Sequence, residues 1–153
     1  MKFEKYFKDN ENKNIDIYVD MDGVLAEYDI DNFDYNTIRP ITTIIKRIKR
    51  LNDLDNININ VLSICKTNRI MEEKYKWFKK HCNFINENQL IFISKEDIGN
   101  KKLSSKELKS NYLRANTNKN NLTVIIDDDN EILSYIKKHN NSIVLFQDSS
   151  LVD

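Results

Sequence analysis

Short apolar runs alternate along the chain with longer stretches in which apolar residues recur every three or four positions. The runs are residues 15–19 (IDIYV), about 59–64 (INVLSI), 90–94 (LIFIS), 122–126 (LTVII) and 142–146 (SIVLF), all of strand length and rich in β-branched residues. Across 38–51, Ile38, Ile41, Ile44, Ile45, Ile48 and Leu51 fall at helical spacing, with Lys46, Arg47, Lys49 and Arg50 mostly on other faces. Residues 71–81 (MEEKYKWFKKH) predict a helix burying Met71, Tyr75 and Phe78. Residues 104–115 (SSKELKSNYLRA) predict another, opened by a serine cap and carrying Leu108, Tyr112 and Leu113, and NEILSYIKKH predicts a last one. Strands alternating with amphipathic helices give an α/β fold class: a three-layer sandwich around a mostly parallel, Rossmann-like sheet. The polar start and residues 116–121 read as the flexible parts.

Composition adjusts this picture only at the edges. A chain of 153 residues and 18.2 kDa fits one domain spanning 1–153. Lys plus Arg and Asp plus Glu stand at 24 each, so no global charge draws the protein to nucleic acid or to a membrane. Cys65 and Cys82 make no disulfide framework and have no metal-ligand spacing, which suits thiols in a reducing compartment. No stretch is apolar enough for a signal peptide or a membrane span, and the expected location is cytoplasmic. The 22 asparagines, beside abundant Ile and Lys, reflect coding bias more simply than function.

The chemistry lies where two apolar strands end. YVDMD closes the first and IIDDD the fourth, and parallel α/β sheets bind ligands beyond the carboxyl ends of their strands, near a switch in strand order. Gathering Asp20, Asp22, Asp127 and Asp128 in one crevice is costly for like charges at low dielectric unless a cation sits among them. Mg²⁺ suits such a set, since it takes oxygen ligands and keeps water and substrate phosphate in its shell. Gly23 lets the backbone turn tightly behind the first pair.

IYVDMDGVLAEY resembles the first motif of the haloacid-dehalogenase-like (HAD) phosphohydrolases, Asp-x-Asp-x followed by Thr or Val. The resemblance implies Asp20 as a nucleophile forming an aspartyl-phosphate and Asp22 as general acid and then base. It implies Ser63, in VLSICKTN, as the phosphoryl-binding hydroxyl of the second motif. VIIDDD resembles the fourth motif, which implies a Mg²⁺ site formed by Asp20, Asp22, Asp127 and Asp128. Asp129 opens the next helix. The third motif is a lysine, expected here at Lys106, with Lys102, Lys109 and Lys95 as competitors. Gly23, Lys66 and Arg69 are candidate substrate contacts. EEKYKWFKKH is similar to the Lys-x-x-Trp helix of the 5′(3′)-deoxyribonucleotidase branch, although a lone Trp77 reads most simply as packing.

One departure bears on substrate. Family members that select small nucleotides often insert a helical cap between the first two motifs, and this chain has room only for a loop-like cap, roughly 27–37. Tyr28, Phe33 and Tyr35 in that loop could stack on a base. The implied activity is a Mg²⁺-dependent phosphomonoester hydrolase, EC 3.1.3.-, of the 5′-nucleotidase or deoxyribonucleotidase kind. The alternatives are a broad, polynucleotide-end or phosphoprotein phosphatase, or a non-catalytic phosphate-binding partner protein. A receiver-like phosphoacceptor domain fits less well, because DMDG comes as one unit on the first strand. The expected partner is a small phosphorylated molecule, with a nucleic acid end as a weaker option and no membrane; monomer and homodimer both stay open.

Overall fold

The computed structural model describes residues 2–147, so the outermost ends of the expected 1–153 domain lie outside the described residues. The five strands are β1 (Ile15–Val19), β2 (Ile57–Cys65), β3 (Leu90–Ser94), β4 (Leu122–Asp127) and β5 (Val144–Gln147). They pair in the order β3-β2-β1-β4-β5, and every pairing is parallel. The five α-helices are α1 (Lys2–Asp9), α2 (Thr42–Asn52), α3 (Asn68–His81), α4 (Ser105–Asn116) and α5 (Asn130–His139).

The period of two along each strand sorts side chains between two cores. Ile15, Ile17 and Val19 of β1, Ile57, Ile59 and Val61 of β2, and Val124 and Ile126 of β4 face one cluster with Phe3, Phe7, Ile44, Ile45, Ile48, Trp77 and Phe78. Tyr18, Leu62 and Ile125 face the other, with Leu113, Leu133 and Ile136. Helices α1, α2 and α3 therefore cover one face and α4 and α5 the opposite one, which makes the expected three-layer parallel sandwich.

Two expectations need correction. The polar start is not flexible: Lys2–Asp9 is a helix whose Phe3 and Phe7 are buried and stack edge-on, with Phe3 also meeting Phe146 of β5. Five charged residues hid a two-aromatic stripe at i and i+4. In α3 the buried face is Lys74, Trp77 and Phe78, while Met71 and Tyr75 are half-buried. The face is rotated by about one residue because the Trp77 indole N–H reaches the Ile38 carbonyl at 3.0 Å and anchors the loop preceding α2.

Strand order places the chemistry. From β1 the chain moves outward through β2 to β3, then returns to β4 on the other side of β1. The reversal opens a crevice at the carboxyl ends of β1 and β4, the residues immediately beyond Val19↔Ile126.

Candidate active site

Asp20 leaves β1 with its amide donating to the Ile126 carbonyl at 2.9 Å, so the ladder itself sets Asp20 beside Asp127. Asp127 is the last residue of β4 and is 1% exposed. A buried carboxylate needs partners, and it has two: Oδ2 accepts from Lys109 Nζ at 2.7 Å and Oδ1 from the Asp129 amide at 3.0 Å. The same Lys109 ammonium donates to Asp20 Oδ1 at 3.0 Å. Burial pushes the Asp20 carboxyl up, Lys109 pulls it back and Asp127 pushes it up again, to about 8. Burial works to lower Lys109, but Asp20 and Asp127 outweigh it and hold the ammonium above its ordinary range.

Asp22 stands apart from this group. Its Oδ1 accepts from the Tyr35 hydroxyl at 2.9 Å and its Oδ2 from Lys74 Nζ at 3.0 Å. Lys74 is 1% exposed and donates as well to Ser63 Oγ at 2.8 Å and to the Ile64 carbonyl at 3.1 Å. Burial first, and the Asp22 carboxylate second, raise Tyr35 above its ordinary value.

A cleft of about 530 Å³ runs over these groups, lined among others by Asp20, Asp22, Ser63, Lys109, Asp127 and Asp128. Carboxylate oxygens of Asp20, Asp127 and Asp128 all lie within 4.8 Å of one another. All three ligands are hard oxygen donors, and that spread suits an octahedral shell with metal–oxygen distances of about 2.0–2.1 Å. Charge agrees: a divalent cation would offset the repulsion among carboxylates brought this close. The cation would also draw the raised Asp20 carboxyl back to the ionised form that nucleophilic attack needs.

The sequence candidates divide accordingly. Asp20, Asp22, Ser63, Asp127 and Asp128 meet in the cleft. The Asp22 side chain is turned toward Lys74 and Tyr35, outside the three-carboxylate cluster. Lys106 is not at the carboxylates: it pairs with Glu131 at 2.7 Å on the surface, and although Ser105 of the same turn lines the cleft, it is Lys109, about one turn further along α4, that reaches the carboxylates. Lys109 holds the position expected of Lys106. Lys66 is exposed, with its Nζ 4.7 Å from the centre of the Phe33 ring, beside a smaller hollow that shares Asp22 as a wall. Arg69 is 88% exposed and faces Glu73 along α3, away from the cleft. Gly23 has φ +83°, and a Cβ there would overlap the Asp128 carboxylate. Asp129 caps α5 by accepting from the Glu131 and Ile132 amides. Lys74 is the lysine of the Lys-x-x-Trp helix, which the sequence reading noted without placing that lysine at the site. Its signal was position: three and four residues before Trp77 and Phe78, it had to share their buried face.

Among the solved structures that match this arrangement of elements, three are described by what they contain. A chain of the Pnkp1/Rnl/Hen1 complex superposes with TM-score 0.69 at 16% identity over 88% of this chain and 46% of its own length. One in the Pnkp1/Rnl/Hen1 RNA repair complex gives 0.68 at 16% over 89% and 42%. The HAD domain of effector protein Lem4 from Legionella pneumophila gives 0.54 at 13% over 88% and 85%. The chain has a HAD-like fold with a minimal cap. It spans less than half the length of the first two matches. No family model matches the sequence, and no curated protein does. Asp20 and Asp127 stand at the ends of adjacent strands of this fold. Among the described residues, no helix is long and apolar enough to cross a membrane.

Proposed function

We propose that the protein is a Mg²⁺-dependent phosphohydrolase that works through an aspartyl-phosphate on Asp20 and acts on the phosphorylated end of a polynucleotide. One observation carries the reaction class: Lys109 bridges Asp20 and Asp127 while Asp20, Asp127 and Asp128 converge within 4.8 Å. Those three carboxylates would hold the cation, which supplies charge neutralisation to phosphate and nucleophile.

The residues divide the work. The Asp20 carboxylate attacks phosphorus as the bond to the leaving oxygen breaks, and Asp22 gives that oxygen its proton. Water then attacks the phosphorus of the acyl phosphate, its proton passing to Asp22, and Asp20 is freed. Lys109 and the Ser63 hydroxyl hold the phosphoryl oxygens as charge spreads over them.

The substrate class rests on openness. The loop over the cleft is short, and Tyr28 and Phe33 stand 61% and 45% exposed at its rim, with Lys66 against Phe33. Exposed aromatics beside a cation suit unstacked bases next to a phosphodiester. No helical cap closes over a free nucleotide, so the deoxyribonucleotidase reading ranks second, although its Lys-x-x-Trp helix is present, with Trp77 engaged in packing and Lys74 bonded to Asp22 and Ser63. The fold-level likeness to chains of an RNA repair complex points the same way.

The test is phosphate release from 3′- and 5′-phosphorylated oligonucleotides, nucleoside monophosphates, sugar phosphates and p-nitrophenyl phosphate, with Mg²⁺ or EDTA. The expected result is Mg²⁺-dependent release, fastest on oligonucleotide ends and abolished by Asp20→Asn. Preference for free mononucleotides would reverse the substrate ranking. Inertness of the folded, Mg²⁺-loaded protein would leave a phosphate-binding role.

A further inference from the structure

Lysine is almost never fully buried without partners, and Lys74 at 1% exposure is among the largest fully buried side chains described. Its ammonium has three protons and three acceptors within 3.1 Å: Asp22 Oδ2, Ser63 Oγ and the Ile64 carbonyl. The lysine bonded to Asp20 and Asp127 is Lys109, not Lys74. The two-step chemistry above never uses it. A buried ammonium is weak evidence for stability, since an apolar residue of similar volume often serves the fold as well.

We infer that Lys74 is a positioning residue that aims two groups acting on the phosphate, the Asp22 carboxylate at the leaving oxygen and the Ser63 hydroxyl at a phosphoryl oxygen. The inference rests on the phosphohydrolase reading and deepens it. Asp22 is gripped on both oxygens, Oδ1 by Tyr35 and Oδ2 by Lys74, and this holds the carboxylate clear of the cation cluster. Without the grip, a carboxylate two residues from Asp20 would swing toward the divalent cation and be lost as a proton carrier. Ser63 Oγ accepts from Lys74, so its own hydrogen cannot point at the ammonium and is directed elsewhere, into the cleft that Ser63 lines. One side chain of α3 thus fixes the acid of β1 and the hydroxyl of β2 relative to each other.

Leaving-group dependence separates this role from a structural one. Phenyl phosphate and p-nitrophenyl phosphate have similar shapes, but only the phenolate leaving group depends heavily on a proton from Asp22. The comparison uses kcat/KM, which reports phosphoryl transfer to Asp20 and excludes the common hydrolysis step. Lys74→Met and Lys74→Gln are expected to lower kcat/KM on the order of 100-fold for phenyl phosphate and by less than about tenfold for p-nitrophenyl phosphate. Tyr35→Phe, which removes the other grip, is expected to shift the same ratio in the same direction by less, and it carries the test if the Lys74 variants do not fold. Mg²⁺ affinity measured by calorimetry is expected to stay within about threefold of wild type for Lys74→Met, while Asp127→Asn weakens it strongly. Equal losses on the two esters, no loss on either, or collapse of Mg²⁺ binding in Lys74→Met would overturn the inference. If the wild-type protein releases phosphate from neither ester and from no oligonucleotide end, the phosphohydrolase reading itself falls, and that outcome is recognisable before any Lys74 variant is made.

Discussion

Lys109 lies between two carboxylates in a nearly water-free position, and removing one partner of such a group costs about 3–5 kcal/mol because it strands the other charges. Lys109→Met is therefore expected to lower the thermal midpoint in EDTA, and Mg²⁺ should raise the variant's midpoint more than the wild type's. Lys106→Met, by contrast, breaks a surface pair and is expected to leave the midpoint unchanged; differential scanning calorimetry of both would separate the two lysines. Asp20 predicts a pH dependence with a definite sign. Its carboxyl is held up at about 8 in the fold against an ordinary 3.8, so the folded protein binds the proton more tightly than the unfolded chain. The stability this contributes is complete below about pH 4 and is lost as pH rises toward 8. Urea midpoints in EDTA should show this loss in the wild type and not in Asp20→Asn, and Mg²⁺ should flatten it. At Gly23, an alanine would meet both a left-handed backbone, worth about 1–2 kcal/mol, and the Asp128 carboxylate. Gly23→Ala should unfold at lower urea and need more Mg²⁺ for half-maximal phosphate release. Both cysteines are buried, and burial first of all lifts Cys65 to about 11 and Cys82 to about 12. Ellman's reagent should find neither thiol at pH 8 until denaturant is added.

At the scale of elements, helix α4 brings Lys109 to the site, and its start is fixed by a reciprocal cap. Ser104 Oγ accepts from the Glu107 amide, and the Glu107 carboxylate accepts from the Ser104 amide. Ser104→Ala should cost about 1 kcal/mol in urea unfolding and loosen the turn that delivers Lys109. That cap was legible as Ser-x-x-Glu, and so were all five strands, because each is a short β-branched run. What could not be read was which turn of α4 meets the crevice. Lys106 and Lys109 are three residues apart and nearly share a face, and only the packing of Leu108 and Leu113 against the sheet decides how deep each sits. Helix α1 escaped for a different reason. Lys2, Glu4, Lys5, Lys8 and Asp9 dominate a composition-based reading, whereas the stripe that matters is two phenylalanines, of which Phe3 finds Phe146 only once β5 is in place. Lys74 was hidden by a sound general rule, that lysines face water; the exception is made by three acceptors contributed by β1 and β2.

For the molecule as a whole, the two faces of the sheet have separate tasks. One carries the larger core, with α1, α2 and α3, and supplies Lys74; the other carries α4 and α5 and supplies Lys109. Asp20 and Asp22 emerge between them on the central strand, so each lysine approaches the acidic pair from its own layer. The fold class was readable because it needs only the order of strands and helices, and the carboxylates were readable because strand ends announce themselves. The lysines depend on how layers meet, which no local pattern encodes. The strand order has a further consequence in time. Sheet neighbours Val19 and Ile126 come from opposite ends of the chain, and Lys109 lies 89 residues after the carboxylate it neutralises. On a ribosome adding about 5–20 residues per second, Asp20 is made on the order of ten seconds before its lysine and longer still before β4. Through that interval the nascent chain carries Asp20 without the charge that steadies it, and the three-carboxylate cluster can form only after β4 has been made.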